Sequence, residues 1–151
     1  MTSTLTAATL TSKIVETISL NGTDQGATNT VEISSIAEVD KRIVNVPTTE
    51  VTLVLFDTAA ASGQYIKGDV RYVRLTNKDD TNFVLINIEA AGTTDIVLRL
   101  DPGASFLAVS STSTGVVDYA ADDTYSVEDL SGIKADADTA ACDVEIFVAS
   151  V

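Results

Sequence analysis

Short apolar runs separated by turn-forming residues repeat along this chain at intervals of about ten residues. The run "TVEISSI" at residues 30–36 alternates apolar and polar positions, which is typical of a half-buried strand. The run "EVTLVLFD" at residues 50–57 is almost continuously apolar, which indicates a central strand. Nowhere does apolar spacing of three and four residues persist long enough to indicate a helix. The pattern therefore predicts an all-β fold, an antiparallel β-sandwich or barrel of roughly eight to ten strands.

The predicted strands lie at residues 13–20, 30–36, 41–46, 50–57, 69–77, 81–89, 94–100, 104–110, 124–135 and 142–150, with a weaker candidate at 115–120. Between the first two strands we expect a polar turn, "NGTDQGATN" at residues 21–29, whose Asn21-Gly22 pair is a strong turn signal. We expect "NKDDTN" at residues 77–82 to be a hairpin turn, because Asn and Asp side chains stabilise tight reversals by hydrogen bonding to the nearby backbone. We also expect the last two strands to pair as a hairpin around residues 136–141.

The first twelve residues differ from the rest of the chain, being small, rich in Thr and uncharged. They predict a flexible N-terminal arm at residues 1–12 that orders only against another molecule. Residues 13–151 are then a single β-sandwich domain, long enough to bury a proper core. The residues of the arm that we expect to contact a partner are Thr2, Ser3, Thr4, Leu5, Thr6 and Leu10.

Charge and cysteine content narrow the possible surroundings of the protein. The formal net charge is −13, from 22 acidic and 9 basic residues, which disfavours binding to nucleic acid or to an anionic membrane. There is no signal-like N-terminus and no apolar run long enough to span a bilayer, so we expect synthesis in a cytosol. Cys142 is the only cysteine, and its position in an apolar β-like run predicts a buried, inert thiol.

Catalytic chemistry finds little support in the sequence. The chain contains no histidine, which excludes Ser-His-Asp and Cys-His catalysis and histidine-ligated metals. Asp57-Thr58-Ala59, after an apolar strand, resembles the signature of retroviral-type aspartic proteases, but the second element of that family is not found downstream. A strand that runs into a loop of small residues accounts for the same letters. The sequence predicts a protein that is not an enzyme and holds no cofactor.

A calcium site is the alternative interpretation of "NKDDTN". Asn77, Asp79 and Thr81 alternate as at the start of a calcium loop. Such a loop needs Gly at its sixth position and a bidentate Glu at its twelfth, where this chain has Asn82 and Ile88. We therefore predict a turn and no metal site, leaving open a calcium ion shared by carboxylates of separate loops.

A carbohydrate-binding module is a second alternative, since many such modules are β-sandwiches. Sugars usually stack on Trp or Tyr, but the chain has no Trp and only four tyrosines, which are Tyr65, Tyr72, Tyr119 and Tyr125. Tyr72 lies inside a predicted strand, where packing in the core or on the sheet surface is its expected role.

Residues 63–109 carry a family resemblance. The elements "RYVRLTN", then "DTNFVLINI", then a hairpin leading into "LRLDPGASFLA" resemble a recurrent pattern in small virion proteins of tailed bacteriophages. The resemblance implies a non-enzymatic capsid decoration (cement) protein or, alternatively, a neck, tail or fibre component. It also implies a jelly-roll-like sandwich, often a homotrimer, that is made in the host cytoplasm. Such a protein lies on the outer capsid surface of the virion, where it ties subunits of the major capsid protein together.

Overall fold

The structure is a computed structural model that describes residues 5–92, 95–111, 115–117 and 129–151. Within these ranges the chain forms strands and turns, and the strands number thirteen. They are β1 (Ala8–Glu16), β2 (Ser19–Leu20), β3 (Thr23–Asp24), β4 (Ala27–Ile36), β5 (Glu38–Val46), β6 (Val51–Asp57), β7 (Gln64–Ile66), β8 (Val70–Asn77), β9 (Val84–Ala90), β10 (Ile96–Leu100), β11 (Ser105–Val109), β12 (Leu130–Ala137) and β13 (Cys142–Ser150).

Two larger sheets pack together to form the body of the protein. One has five strands in the order β10-β9-β12-β6-β7, and the other has four in the order β11-β8-β13-β5. Neighbouring strands are antiparallel, apart from the short parallel pair β6–β7. The prediction of an all-β antiparallel β-sandwich is confirmed.

The core lies between the two sheets and follows from the alternation of side chains along each strand. In β13, every second residue from Val144 to Val148 is fully buried. These side chains belong to one cluster with Leu75 of β8 and with Ile86 and Ile133 of the opposite sheet. Apolar residues at period two therefore supply the face that each sheet buries, which is why most predicted strands of the body end within three residues of the observed ones. The short strand β7 was not predicted, residues 115–117 of the weaker candidate are not a strand, and residues 118–120 and 124–128 of two predicted strands lie outside the described residues.

Two predicted hairpins are wrong. The strands on either side of residues 77–82 are β8 and β9, and they belong to different sheets, so "NKDDTN" crosses from one layer of the sandwich to the other. Likewise β12 pairs with β6 and β9, whereas β13 pairs with β5 and β8. Two successive strands turn an apolar face to the core whether they pair in one sheet or lie in opposite sheets. A pattern of apolar residues therefore does not distinguish the two arrangements. The hairpin contained in the family pattern is present, because β9 pairs with β10.

The N-terminal segment also differs from expectation. The first strand begins at Ala8 rather than at Lys13, and residues 8–12 pair with β4 of the same chain. Residues 1–4 lie outside the described residues. The predicted boundary at residue 12 thus falls inside a strand.

Candidate interaction site on a projecting hairpin

Residues 8–36 form one long hairpin, which we call the hairpin arm. Strands β1 and β2 run outward and β3 and β4 return, with a constant register from the Leu10–Ile33 pair to the Leu20–Thr23 pair. At the tip, Asn21 and Gly22 have φ angles of 51° and 79°. Two successive left-handed residues are what a two-residue type I′ loop requires, so the turn predicted at this Asn-Gly pair is confirmed.

The base of the hairpin arm is anchored on the outer face of the four-stranded sheet. Ile33 and Ile36 of β4 are buried there in a small apolar cluster with Tyr72 and Ala149, and Leu10 packs against the same cluster. The ring of Tyr72 also meets an aromatic neighbour edge-on, with 5.3 Å between the centroids of Tyr72 and Phe147. This cluster holds one end of an otherwise two-stranded ribbon.

Beyond the base, residues 13–30 make up the free part of the arm. Every residue in this range is exposed except Gly26, which is half-buried. Large apolar side chains are among the exposed ones, with exposed fractions of 41 % for Ile14, 60 % for Val15, 55 % for Ile18 and 61 % for Leu20. An isolated two-stranded hairpin is at best marginally stable in water, and a group of exposed apolar side chains marks an interaction surface. The free part of the arm is therefore the best candidate for a functional contact.

The partner-binding residues predicted from the sequence fall in three places. Thr2, Ser3 and Thr4 lie outside the described residues. Leu5, which is 70 % exposed, and Thr6, also exposed, precede β1 and are open to a partner. Leu10 is half-buried in the cluster at the base of the arm, so its side chain already contacts its own chain.

The exposed apolar residues of the free part of the arm were missed. The strand predicted at residues 13–20 is confirmed for residues 13–16 and 19–20. The sequence offers one sign that this strand is exposed, which is that apolar residues occur on both of its faces, at Ile14 and Val15. That arrangement is unusual for a strand with only one face against a core.

Strand β5 provides a second exposed surface, at one edge of the four-stranded sheet. Val39 and Ile43 are exposed there at 55 % and 60 %. Between them lies Lys41, whose Nζ is 3.6 Å from Oε2 of Glu145. Glu145 also accepts a 2.5 Å hydrogen bond from Arg74 Nη2, and this bond is the main reason that the pKa of Glu145 lies below its usual value. The exposed face of β5 thus alternates apolar and basic side chains beside an ion-paired carboxylate.

The "NKDDTN" stretch is held by its own side chains. Oδ1 of Asp79 accepts hydrogen bonds from the backbone N–H of Thr81 at 2.8 Å and of Asn82 at 2.6 Å, and these bonds lower the pKa of Asp79. The fully buried Asn77 donates through Nδ2 to the carbonyl oxygens of Asn82 at 2.9 Å and Leu100 at 3.1 Å. The predicted bonding of Asn and Asp side chains to the backbone is confirmed, and its role is to clamp a crossing between sheets.

Other candidate chemistry can be placed as well. The exposed carboxylate of Asp57 accepts a 2.6 Å hydrogen bond from the N–H of Thr58, next to it in the loop after β6. Across the described ranges, no group of three or more Asp, Glu or Cys side chains is arranged to hold a metal ion. Cys142 is fully buried, and burial raises the pKa of its thiol, so the prediction of a buried thiol is confirmed.

The tyrosines bear on sugar binding. Tyr65 and Tyr72 are each only 7 % exposed, and the hydroxyl of Tyr65 donates a 2.8 Å hydrogen bond to Oδ2 of Asp40. Burial raises the pKa of Tyr65. Neither ring is open for stacking on a sugar, and the packing role expected for Tyr72 is confirmed. Tyr119 and Tyr125 lie outside the described residues.

Comparisons with known proteins identify no relative of this chain. No family model, no curated protein and no solved structure matches this chain. No helix in the part of the chain that the structure describes is long and apolar enough to cross a membrane. Evidence on function therefore comes from the surfaces of the molecule itself and from the resemblance in residues 63–109.

Proposed function

We propose that this protein is a non-enzymatic structural component of a tailed-bacteriophage virion, a capsid decoration protein that binds the outer surface of the head. The observation that carries the proposal is the projecting hairpin arm. It exposes several large apolar side chains, as a protein that functions by contacting other proteins would do. The resemblance of residues 63–109 to small virion proteins of tailed bacteriophages supports the choice of assembly.

The order of the strands supports the jelly-roll-like part of the proposal. From β5 to β13 the chain changes sheet at each step except at β6–β7 and at the hairpin β9–β10. In a jelly roll, two sheets are built in this alternating manner. The segment with the family pattern contributes β7 to β11, on both sheets of the sandwich.

The charge of the chain supports a place on the outside of the head. A net charge of −13 repels the phosphates of packaged DNA, because binding to DNA requires Lys and Arg in place of counterions. The partners are then the major capsid protein and further copies of this chain, in a homotrimer, with neither nucleic acid nor membrane involved.

Binding to the assembled shell is the whole mechanism. A protein that binds the intact shell but not its separated subunits stabilises the shell by mass action. Because many equivalent sites act on one particle, each contact can be modest. No chemical step and no cofactor is required.

The experiment is cosedimentation of the labelled protein with DNA-free, expanded heads and with separated tails of the phage whose genome encodes it. We expect saturable binding to heads, at a fixed number of copies for each hexamer or pentamer of the shell. Binding to tails alone would replace the decoration role with the neck, tail or fibre role. Failure to bind either particle would overturn the proposal.

A truncation tests whether the residues before β1 bind the capsid independently of the hairpin arm. Removing residues 1–7 deletes Leu5 and Thr6 but leaves β1, which begins at Ala8, so the hairpin arm should still form. If the residues before β1 contact the capsid, this truncation weakens binding to heads while the melting temperature of the free protein stays the same. Unchanged binding would show that these residues are not a contact.

A further inference from the structure

One face of the hairpin arm is apolar along much of its length. Alternation along β1 places Leu10 and Ile14 on the same face, and the unchanged register between β1–β4 and β2–β3 extends this face to Ile18, which lies between β1 and β2. Leu10 at the base is half-buried against the body, whereas Ile14 and Ile18 further out are 41 % and 55 % exposed. Glu16 lies between these two, also exposed. On this face the free part of the arm presents an apolar, an acidic and an apolar side chain in order. The same face packs against the body at the base of the arm.

The edge strand β5 presents the complementary sequence. Val39, Lys41 and Ile43 occupy alternate positions on one face, which gives apolar, basic, apolar. The two apolar residues are 55 % and 60 % exposed, and 59 % of the Lys41 side chain is exposed. Among the described residues β5 pairs only with β13 and is the last strand of its sheet, so its outer edge can accept a further strand.

We propose that the free part of the arm adds as a strand to the β5 edge of a second copy of this chain. In the antiparallel direction, which the larger sheets mostly use, Glu16 lies opposite Lys41. Ile14 then faces Ile43, and Ile18 faces Val39. Cross-strand apolar pairs and a pair of opposite charges both stabilise a sheet. Backbone hydrogen bonds along the shared edge supply affinity, as in other cases of strand addition.

A second copy is the occupant that this geometry favours. Each copy carries both the donor, residues 13–30, and the acceptor, which is nine residues long. In each contact one copy contributes its donor and the next copy its acceptor, so one chain can take part in two contacts. Arms donated from each copy to the next form a contact between two different surfaces, which closes into a ring if the rotation allows it. The proposal concerns self-association and stands or falls independently of binding to phage heads.

The test is a charge exchange read out by light scattering after size-exclusion chromatography, over a range of protein concentrations. Glu16→Lys and Lys41→Glu each place two like charges opposite one another, so each should weaken self-association by roughly tenfold or more. The double variant restores the opposite charges in reversed order and should regain most of the lost affinity. Glu16→Lys makes the chain less negative, which by itself reduces the repulsion between copies and favours association. Weaker association of this variant is therefore not explained by net charge.

Matched controls lie on the other face of the arm. By alternation, Glu32 and Lys13 point away from the face that carries Glu16, and both are exposed. Glu32→Lys and Lys13→Glu therefore make the same changes in net charge as the two test variants, and should leave association within about threefold of the original protein. Because Lys41 also pairs with Glu145, thermal unfolding of each variant verifies that the monomer remains folded.

Three results would overturn the proposal. The first is an original protein that stays at the monomer mass of 15.8 kDa at all concentrations tested. The second is a double variant that associates no better than the single ones. The third is an equal loss of association in the control variants.

Discussion

Replacing Asn77 by Ala should destabilise the fold more than any surface substitution of the same type. The Asn77 side chain is fully buried, and its Nδ2 binds the carbonyl oxygens of Asn82 and Leu100. Its Oδ1 accepts a 3.0 Å hydrogen bond from the N–H of Asp79. One amide thus joins the end of β8 both to the loop that crosses between the sheets and to the end of β10.

The magnitude follows from these three hydrogen bonds. Each contributes about 0.5–1.5 kcal/mol net, and a buried partner left without its bond costs more than the average. We expect Asn77→Ala to lower the free energy of unfolding by about 2–4 kcal/mol, out of a total of about 5–15 kcal/mol for an ordinary domain. For a chain of this size, the melting temperature should fall by roughly 5–12 °C.

The assay is urea unfolding followed by far-UV circular dichroism, since the chain has no Trp for fluorescence. The matched control is Asn45→Ala, at an exposed residue whose Nδ2 donates one 2.8 Å hydrogen bond to Asp143, and we expect a loss below about 1 kcal/mol. If the two substitutions cost the same within about 0.5 kcal/mol, the amide of Asn77 does not clamp the crossing and the argument fails.

Three further predictions concern other parts of the molecule. A side chain at Gly26 would bring its Cβ to 2.4 Å from the backbone oxygen of Glu16. Gly26→Val should therefore remove hydrogen-exchange protection from the hairpin arm and leave the melting temperature of the body unchanged. Equal protection of the arm in the variant and in the original protein would contradict this. The pKa of Asp79 is lowered from 3.8, so its ionised carboxylate stabilises the fold above pH 3.8, and this stabilisation is lost as the pH falls through the lowered pKa. Asp79→Asn should therefore make the melting temperature fall less steeply below about pH 4. The Cys142 thiol, buried and with a raised pKa, should react with a disulfide reagent only as fast as the protein unfolds, and rapid reaction in the native state would show that it is accessible.

The body of the sandwich could be predicted from the sequence because each strand carries its own local signal. The predicted strand at residues 142–150 coincides with β13, and that at 69–77 differs from β8 by one residue. The pairing of strands could not be predicted, because "NKDDTN" is equally suitable for a hairpin and for a crossing. The buried state of Asn77, which distinguishes the two, depends on β10, more than 20 residues further along the chain.

The candidate site was predicted less well than the fold, for a related reason. Apolar alternation shows that a face needs burial but does not show whether the same chain provides the cover. Leu10 and Ile14 are equivalent in the sequence pattern, four residues apart on one face of a strand. The body covers the first and leaves the second exposed. Only the three-dimensional structure shows at which residue of the strand the contact with the body of the protein ends.

The most direct test of the account is the heat stability of phage heads with and without this protein. Expanded heads that lack it are heated alone or after saturation with the purified protein, and disruption is followed by light scattering and electron microscopy. If the protein stabilises the assembled shell by mass action, disruption moves to a higher temperature as the concentration of free protein increases. Heads that bind the protein to saturation and still break at the temperature of bare heads would contradict the proposed decoration function.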